Sequence, residues 1–388
     1  MAKELAYVLV NPYTIAKSRT GGVISRITSR TGLDLVATRM YGPSQALADA
    51  YAELIRNAPD LPKEEASLIA DHVQHNYGPD PRSGKRRRVM MLLFEGDDAI
   101  SKIRDAVGSV RKLTTSGETV RDTFGDLIYD DNHQIRYVEP AVTISRTLET
   151  TKLVLALWSK HALSDGGLIE DADDVAEGSD VHKTLVIIKP DNFRFPSARP
   201  GNIIDLFSAS GLRIIAAKVH RMSVAEGEEF YGPVQEVLRS KLKAPSAERA
   251  AEALREEFGF TLPDDVKARI GELVGPCFGD EQFYQIIEFM TGLRPTAVKP
   301  EEKANPGTSR CLVLIYKGPK AVEKIRKILG PTDPSKAGPG SVRKEYGKDI
   351  MINAAHASDS PENCLREMGI VKPEADTITP YVEAYYKP

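Results

Sequence analysis

Short apolar runs alternate with helically spaced segments along the chain. Residues 5–10 (LAYVLV) and 184–188 (TLVII) are compact, β-rich runs of the kind that buried strands show. After the second run, Ile203, Ile204 and Phe207 recur at helical spacing, and the segment stops at Gly211, a residue suited to the left-handed position that ends a helix. The pattern then predicts a strand over 212–219, a helix from about 223, a strand over 311–316, a helix over 320–329 and a last strand near 350–353. Residues 244–275 interrupt that series as two amphipathic helices joined near Pro263, and residues 58–82 hold the corresponding place earlier in the chain.

The same series occurs twice. LAYVLVNPYTIAKSRTGGVISRITSRTGLDLVATRM aligns with KTLVIIKPDNFRFPSARPGNIIDLFSASGLRIIAAKV, so that Pro12 meets Pro190, Gly32 meets Gly211 and Tyr51 meets Tyr231, at offsets of 178, 179 and 180. Further on, Gly96 meets Gly318, Arg104 meets Arg326 and Arg121 meets Arg343, all at 222. A near-constant offset that jumps once is what a duplicated domain gives when its second copy has taken an insertion. The order β-α-β-β-α-β within each copy is the ferredoxin-like split arrangement. The expected fold class is therefore α+β: two such domains in tandem, each with helical insertions, around antiparallel sheets with helices on one face. The first copy is expected over 1–163 and the second over 183–388, with its insertion at about 240–280. Residues 164–182 carry seven acids and no Lys or Arg, which reads either as a solvated linker or as a loop folded across the surface. The basic cluster Lys85 to Arg88 reads either as a solvated strand flank or as a contact for an acidic partner.

Composition narrows the class of function. Hydrophobic residues make up 41% and charged residues 28% of the 388, as expected for a globular chain rather than a disordered or membrane-embedded one. The formal net charge of -3 supplies no global positive field, so binding to nucleic acid is not expected. Cys277, Cys311 and Cys364 are few and unpaired in spacing, which argues against a disulfide framework or zinc cage and for a reducing, cytoplasmic setting. The opening residues MAKELAYVLV lack a long apolar segment after a basic start, and no run is long enough to span a bilayer; neither a secretory signal nor a membrane partner is expected.

Of seven histidines, His356 stands apart, in NAAHASDSPENC, among small residues that leave an imidazole accessible. Ser358, Asp359 and Glu367 follow closely enough to orient its ring, and a neutral, oriented imidazole is a competent nucleophile. Taken alone, such a histidine is more often structural. Its company favours chemistry: Lys189, Arg326 and Arg343 at loops or element ends, with Thr332 in a Pro/Gly-rich turn, form a set that suits a polyphosphate.

These motifs resemble those of the nucleoside diphosphate kinase family. IIKPD (187–191), KIRKILGPTDP (324–334), GPGSVRKEY (338–346) and NAAHASDSPE (353–362) match its Lys-Pro-Asp, helix-Arg, Pro-Gly-loop-Arg and Asn-x-x-His signatures in order, over most of residues 183–372. The resemblance implies transfer of the γ-phosphoryl of a nucleoside triphosphate to a nucleoside diphosphate through a phosphohistidine on His356. Lys189, Arg326, Thr332, Arg343 and Asn353 would contact phosphates and ribose, Tyr231 would stand near the phosphates, and Glu367 would bond the histidine ring, with Ser358 beside it. The base would lie between Phe283 and Ile350. Mg²⁺ is implied as cofactor, carried by the nucleotide phosphates and not by protein ligands. Two departures occur: Asn192 replaces a family Gly, and MIN (351–353) replaces Gly-Arg-Asn.

The first copy keeps Arg104, Arg121 and Tyr51, but it has Asn11 at the lysine position and Val142 as the nearest equivalent of the histidine, while His133 lies in a polar loop upstream. It reads as a structural copy, with weak nucleotide binding still open. The alternative for the whole chain is a non-catalytic nucleotide-binding or assembly module on the same scaffold. For assembly, the two copies are expected to pair as a pseudo-dimer, which shared patches would allow; further homo-oligomers, independent copies and a dimer between chains remain open.

Overall fold

The computed structural model describes residues 3–110, 117–132 and 135–386, so His133 lies outside the described residues. The chain forms two compact units, residues 1–220 with 312–388, and residues 221–311. In the first unit, β1 (Glu4–Val10), β2 (Asp34–Tyr41), β3 (Val89–Gly96) and β6 (Val142–Thr143) make one sheet in the order β2-β3-β1-β6, while β4 (Asp126–Tyr129) and β5 (Ile135–Glu139) form a separate hairpin. A second four-stranded sheet, from β7 (Val181–Ile188), β8 (Arg213–His220), β9 (Cys311–Pro319) and β10 (Ala355–Ala357), has the order β10-β7-β9-β8. Read from the other edge, that is the same order. β1 pairs with β3 and β6, and β7 with β9 and β10, all antiparallel.

The backbone repeats in detail as well. Asp98 and Lys320 both have φ 53, Gly108 and Gly330 have φ 81 and 82, and Ala141 and Ala354 have φ 62 and 69. Alanine seldom adopts such angles, because its Cβ crowds the following carbonyl. Sheet register corrects one expectation from sequence. Val142 faces Val10 and Thr143 faces Leu9, whereas Ala355 faces Ile188 and His356 faces Ile187. Thr143, and not Val142, therefore occupies the position equivalent to His356. The last strand also differs from its expected place at 350–353. There the Asp349 carboxylate accepts from the amides of Met351 (2.9 Å) and Ile352 (2.7 Å), which closes a turn and delays the strand to Ala355.

Helix Thr20–Thr31 meets helix Arg199–Ser208 at two glycines. A Cβ on Gly21 would lie 2.3 Å from the Gly201 carbonyl, and one on Gly201 would lie 2.2 Å from the Gly21 carbonyl, so any side chain there would hold the helices apart. The acidic segment 164–182 is docked across this unit rather than solvated. Gly167 N donates to Met40 O (2.8 Å) and Ile169 N to Ile215 O (2.9 Å), and Ile169, Ala172 and Val175 are buried. Its charges meet the basic cluster: Glu177 pairs with Lys85 (2.7 Å), Asp171 with Arg86, and Asp174 with Arg88. Arg87 turns instead to Asp80 (2.7 Å). The acidic partner that sequence left open for Arg86 and its neighbours thus lies largely in the same chain.

Residues 372–386 pack on the first sheet. Ile378 and Val382 join the core of Leu5, Tyr41, Tyr51, Tyr77 and Trp158. The Tyr386 hydroxyl donates to Leu5 O (2.6 Å) and accepts from Leu5 N (3.0 Å), satisfying both polar groups of that residue, where β1 pairs with β3 on one side and β6 does not reach the other.

The second unit is helical: Val224–Lys241, Lys243–Phe258 and Asp264–Thr291. The first opens with a capping box, in which Ser223 Oγ accepts from Glu226 N and the Glu226 carboxylate accepts from Ser223 N. Gly271 and Gly275 let the third helix run against the backbone of Lys243, and Gly279 lets it run against Arg239. The two helices joined near Pro263 are as expected, but the second continues through Pro276 to Thr291.

Candidate active site

The site is built where β7, β10 and the loops after β9 converge. Lys189 follows β7 directly. Its Nζ donates to Asn353 Oδ1 (2.7 Å) and Met351 O (3.1 Å), and its main-chain N donates to Ala354 O (2.9 Å). Burial, with the Arg343 charge adding to it, pushes its ammonium down to about 8. Asn353 in turn donates to Ile350 O (2.7 Å) and Thr332 O (3.2 Å), which ties the Pro/Gly-rich turn to the strand that follows.

Arg343 lies in helix Val342–Tyr346. Its guanidinium donates to Gly330 O (3.0 Å), Ala355 O (3.2 Å) and, at 3.5 Å, the Thr332 hydroxyl. Burial, then the Arg326 charge, lowers it to about 10. Arg326 sits in the last turn of helix Ala321–Leu329, with its side chain exposed. Thr332 is exposed too, and Ile350 is 64% exposed.

His356 is the middle residue of β10, with 23% of its side chain exposed. Nε2 lies 2.9 Å from Glu367 Oε1, and the other carboxylate oxygen accepts from Ser358 Oγ at 2.6 Å. Glu367 and Ser358 are buried; Glu367 projects from helix Pro361–Val371, whose N-cap Ser360 accepts from Asn363 N. A carboxylate held by a hydroxyl on one oxygen uses the other to fix Nε2–H, which leaves the lone pair on Nδ1. Asp359, weighed as a third orienting group, bonds Asn363 (2.6 Å) instead.

Lys189, Arg326, Thr332, Arg343, Ile350, Asn353, His356, Ser358 and Glu367 all belong to the first unit. Tyr231 and Phe283 belong to the helical unit. Both are buried there, Tyr231 against Phe230 (ring centroids 4.9 Å apart) and Phe283 beside Tyr284 (6.0 Å). Two site neighbours escaped the sequence reading. Arg199 carries no signal in the sequence and Asn192 reads there only as a departure, yet both bond into the loops that carry Lys189 and Arg343. Among the described residues no group of three or more His, Cys, Asp or Glu is placed to hold a metal ion, and no helix is long and apolar enough to cross a membrane.

The family model described as Nucleoside diphosphate kinase matches residues 302–377, which hold Arg326, Arg343, His356 and Glu367. A nucleoside diphosphate kinase of Pyrobaculum aerophilum is 32% identical over 198 residues, covering 48% of this chain and 93% of that protein. One from Bdellovibrio bacteriovorus is 31% identical over 190 residues, covering 49% of this chain and 92% of that protein. Among solved structures, an NDP kinase from Pyrobaculum aerophilum aligns at 28% identity with a TM-score of 0.33, over 50% of this chain and 100% of that one.

Proposed function

Because the chain belongs to the nucleoside diphosphate kinase family, we propose that it moves the γ-phosphoryl of a nucleoside triphosphate to a nucleoside diphosphate by way of phospho-His356. The observation that carries the assignment to His356 is the Ser358–Glu367–His356 chain, at 2.6 and 2.9 Å, in the unit that also holds Lys189, Arg326 and Arg343. His356 Nδ1 attacks the γ-phosphorus, the bond to the bridging oxygen breaks, and the nucleoside diphosphate leaves with that electron pair. The Nε2 proton stays with the ring, and Glu367 stabilises the positive charge that the ring gains. A second nucleoside diphosphate then takes the phosphoryl group by the reverse step. Donor and acceptor anhydrides are nearly isoenergetic, so the intermediate must itself be a reactive phosphoryl compound, which a P–N bond provides.

Lys189, Arg343 and Arg326 stabilise charge on the transferring group, the largest electrostatic contribution to be expected in phosphoryl transfer. Thr332 and Asn353 would bind phosphate and ribose oxygens, Ile350 offers an exposed apolar surface to the base, and Tyr231 and Phe283 are assigned by resemblance alone. The donor set is cationic and suits phosphates, so Mg²⁺ would enter with the nucleotide. When bound, it neutralises phosphate charge. Nucleoside tri- and diphosphates are the partners in this reading, and the three widely spaced cysteines fit a cytoplasmic setting.

The two-sheet unit is read as a tandem duplication paired as a pseudo-dimer. The shared strand order and the reciprocal Gly21–Gly201 approach support this, since an isologous contact uses the same patch on both partners. Incubation of the purified chain with γ-labelled ATP tests the reaction. Label should stay on the protein, be lost in acid and vanish in His356→Ala; acid-stable label or none would overturn the mechanism.

A further inference from the structure

Asn192 occupies a buried position beside the Lys189 loop, where only 2% of its surface is exposed. Its Nδ2 donates to Lys189 O (3.1 Å) and to Ala354 O (2.9 Å), and its Oδ1 accepts from Arg199 Nε (3.1 Å). The two carbonyl acceptors and the guanidinium donor together fix which end of the carboxamide is which. Arg199 continues the connection. Its Nη2 donates to Tyr346 O (2.8 Å), at the end of the helix that carries Arg343, and lies 3.6 Å from the Asp191 carboxylate. One asparagine and one arginine thus join the three backbone segments that hold Lys189, Arg343 and His356.

We infer that Asn192 and Arg199 are positioning residues for phosphoryl transfer at His356, an inference that rests on the reaction proposed above. The mechanical reason lies in Ala354, two residues before His356, whose φ of 69 is unfavourable for a residue with a Cβ. Its carbonyl is held by two donors, the Lys189 amide and the Asn192 carboxamide. Those bonds set the peptide from which Asn353 and His356 depart, so the ammonium and the imidazole are aimed from a common anchor. The first sheet supplies a control within the same molecule. There Ala141 has φ 62, and its carbonyl accepts from Asn11 N (3.0 Å) and from the Thr14 hydroxyl (3.0 Å). A threonine therefore suffices to hold the strained backbone. The second arm of Asn192 and its link to Arg199 occur only beside the histidine.

That contrast selects the test. Asn192→Thr keeps a donor for Ala354 O but loses the Lys189 arm and the carboxamide oxygen that accepts from Arg199. The expected result is an unchanged melting temperature, nucleotide KM within about two-fold, and kcat and the single-turnover rate of His356 phosphorylation both lower by about ten-fold. Arg199→Lys, which loses the Nε and Nη2 fork, should lower kcat in the same direction. The double variant should be no slower than Asn192→Thr alone, since both act through one network. Wild-type rates in folded Asn192→Thr, losses confined to melting temperature, or fully additive losses would each overturn the inference. Absence of phosphohistidine on the wild-type chain would instead defeat the reaction itself, and this inference with it.

Discussion

At Asn11 and Lys189 the first unit puts different side chains on the same piece of backbone. Both main-chain nitrogens donate to a left-handed alanine, Ala141 or Ala354. Arg121 and Arg343 likewise brace matching carbonyls, Gly108 with Val142 and Gly330 with Ala355. What fills the space differs. Around Asn11 the chain places Glu139 (2.7 Å), Tyr77 (2.6 Å) and His72 (3.3 Å), and Thr143, at the histidine's position, bonds both Tyr51 (3.0 Å) and Tyr77 (2.9 Å). Trp158 packs edge-on against Tyr41, Tyr51 and Tyr77, whereas the second sheet keeps a partly exposed imidazole at His356. The comparison separates two jobs that one residue can hold at once. The arginine brace is present beside Thr143 as well as beside His356, so Arg343 has a structural duty in addition to any phosphate contact.

The contrast breaks most sharply at Trp158, a fully buried ring. Trp158→Ala should cost about 3–5 kcal/mol in denaturant unfolding; a much smaller loss would mean that the aromatic cluster does not hold the core beside the first sheet together. Lys189→Gln comes next. Loss of a preorganised cation should lower kcat by about 10²-fold with the fold intact, and a near-normal rate would equate Lys189 with Asn11.

A smaller effect is expected at Glu139, whose carboxyl burial pushes up to about 7. A carboxyl raised in the folded state favours folding while protonated, and that advantage is lost as pH rises from the unfolded value toward 7. Wild type should therefore lose stability relative to Glu139→Gln between about pH 4.5 and 7, by on the order of 2 kcal/mol. His72, which burial pushes down to about 4, acts in the opposite sense and is present in both proteins. Parallel stability curves would show that the Glu139 carboxyl titrates in the folded chain as it does in the unfolded one. The mildest effect is the alkaline limb of activity. Lys189 is depressed to about 8 in the nucleotide-free chain, so its charged form is lost above that pH, and kcat/KM should fall by roughly ten-fold per unit. A flat profile to pH 10 would remove the Lys189 ammonium from the rate.

Much of this was legible in sequence because it is local or periodic. The short apolar runs became strands, residues 244–275 fall in two helices joined near Pro263, and the small residues around His356 set it apart, with Ser358 and Glu367 following. Three features were not legible, each for a physical reason. The apolar letters at 350–352 imitate a strand, but one carboxylate, Asp349, captures their amides. The acidic run 164–182 was self-repelling only until Lys85, Arg86 and Arg88, remote in sequence, supplied its counter-charges. The Asn192–Arg199 connection depends on carbonyl positions, which residue letters do not encode.

The docking of residues 372–386 on the first sheet bears on how the protein is made. Leu5 and Tyr386 are 381 positions apart, and Ile378 and Val382 sit in the same core as Trp158. During synthesis the first sheet can emerge and pair its strands, but that core stays open until the second sheet has followed it off the ribosome. The half made first is completed last, and over that interval its unsealed apolar face is the surface a chaperone would meet.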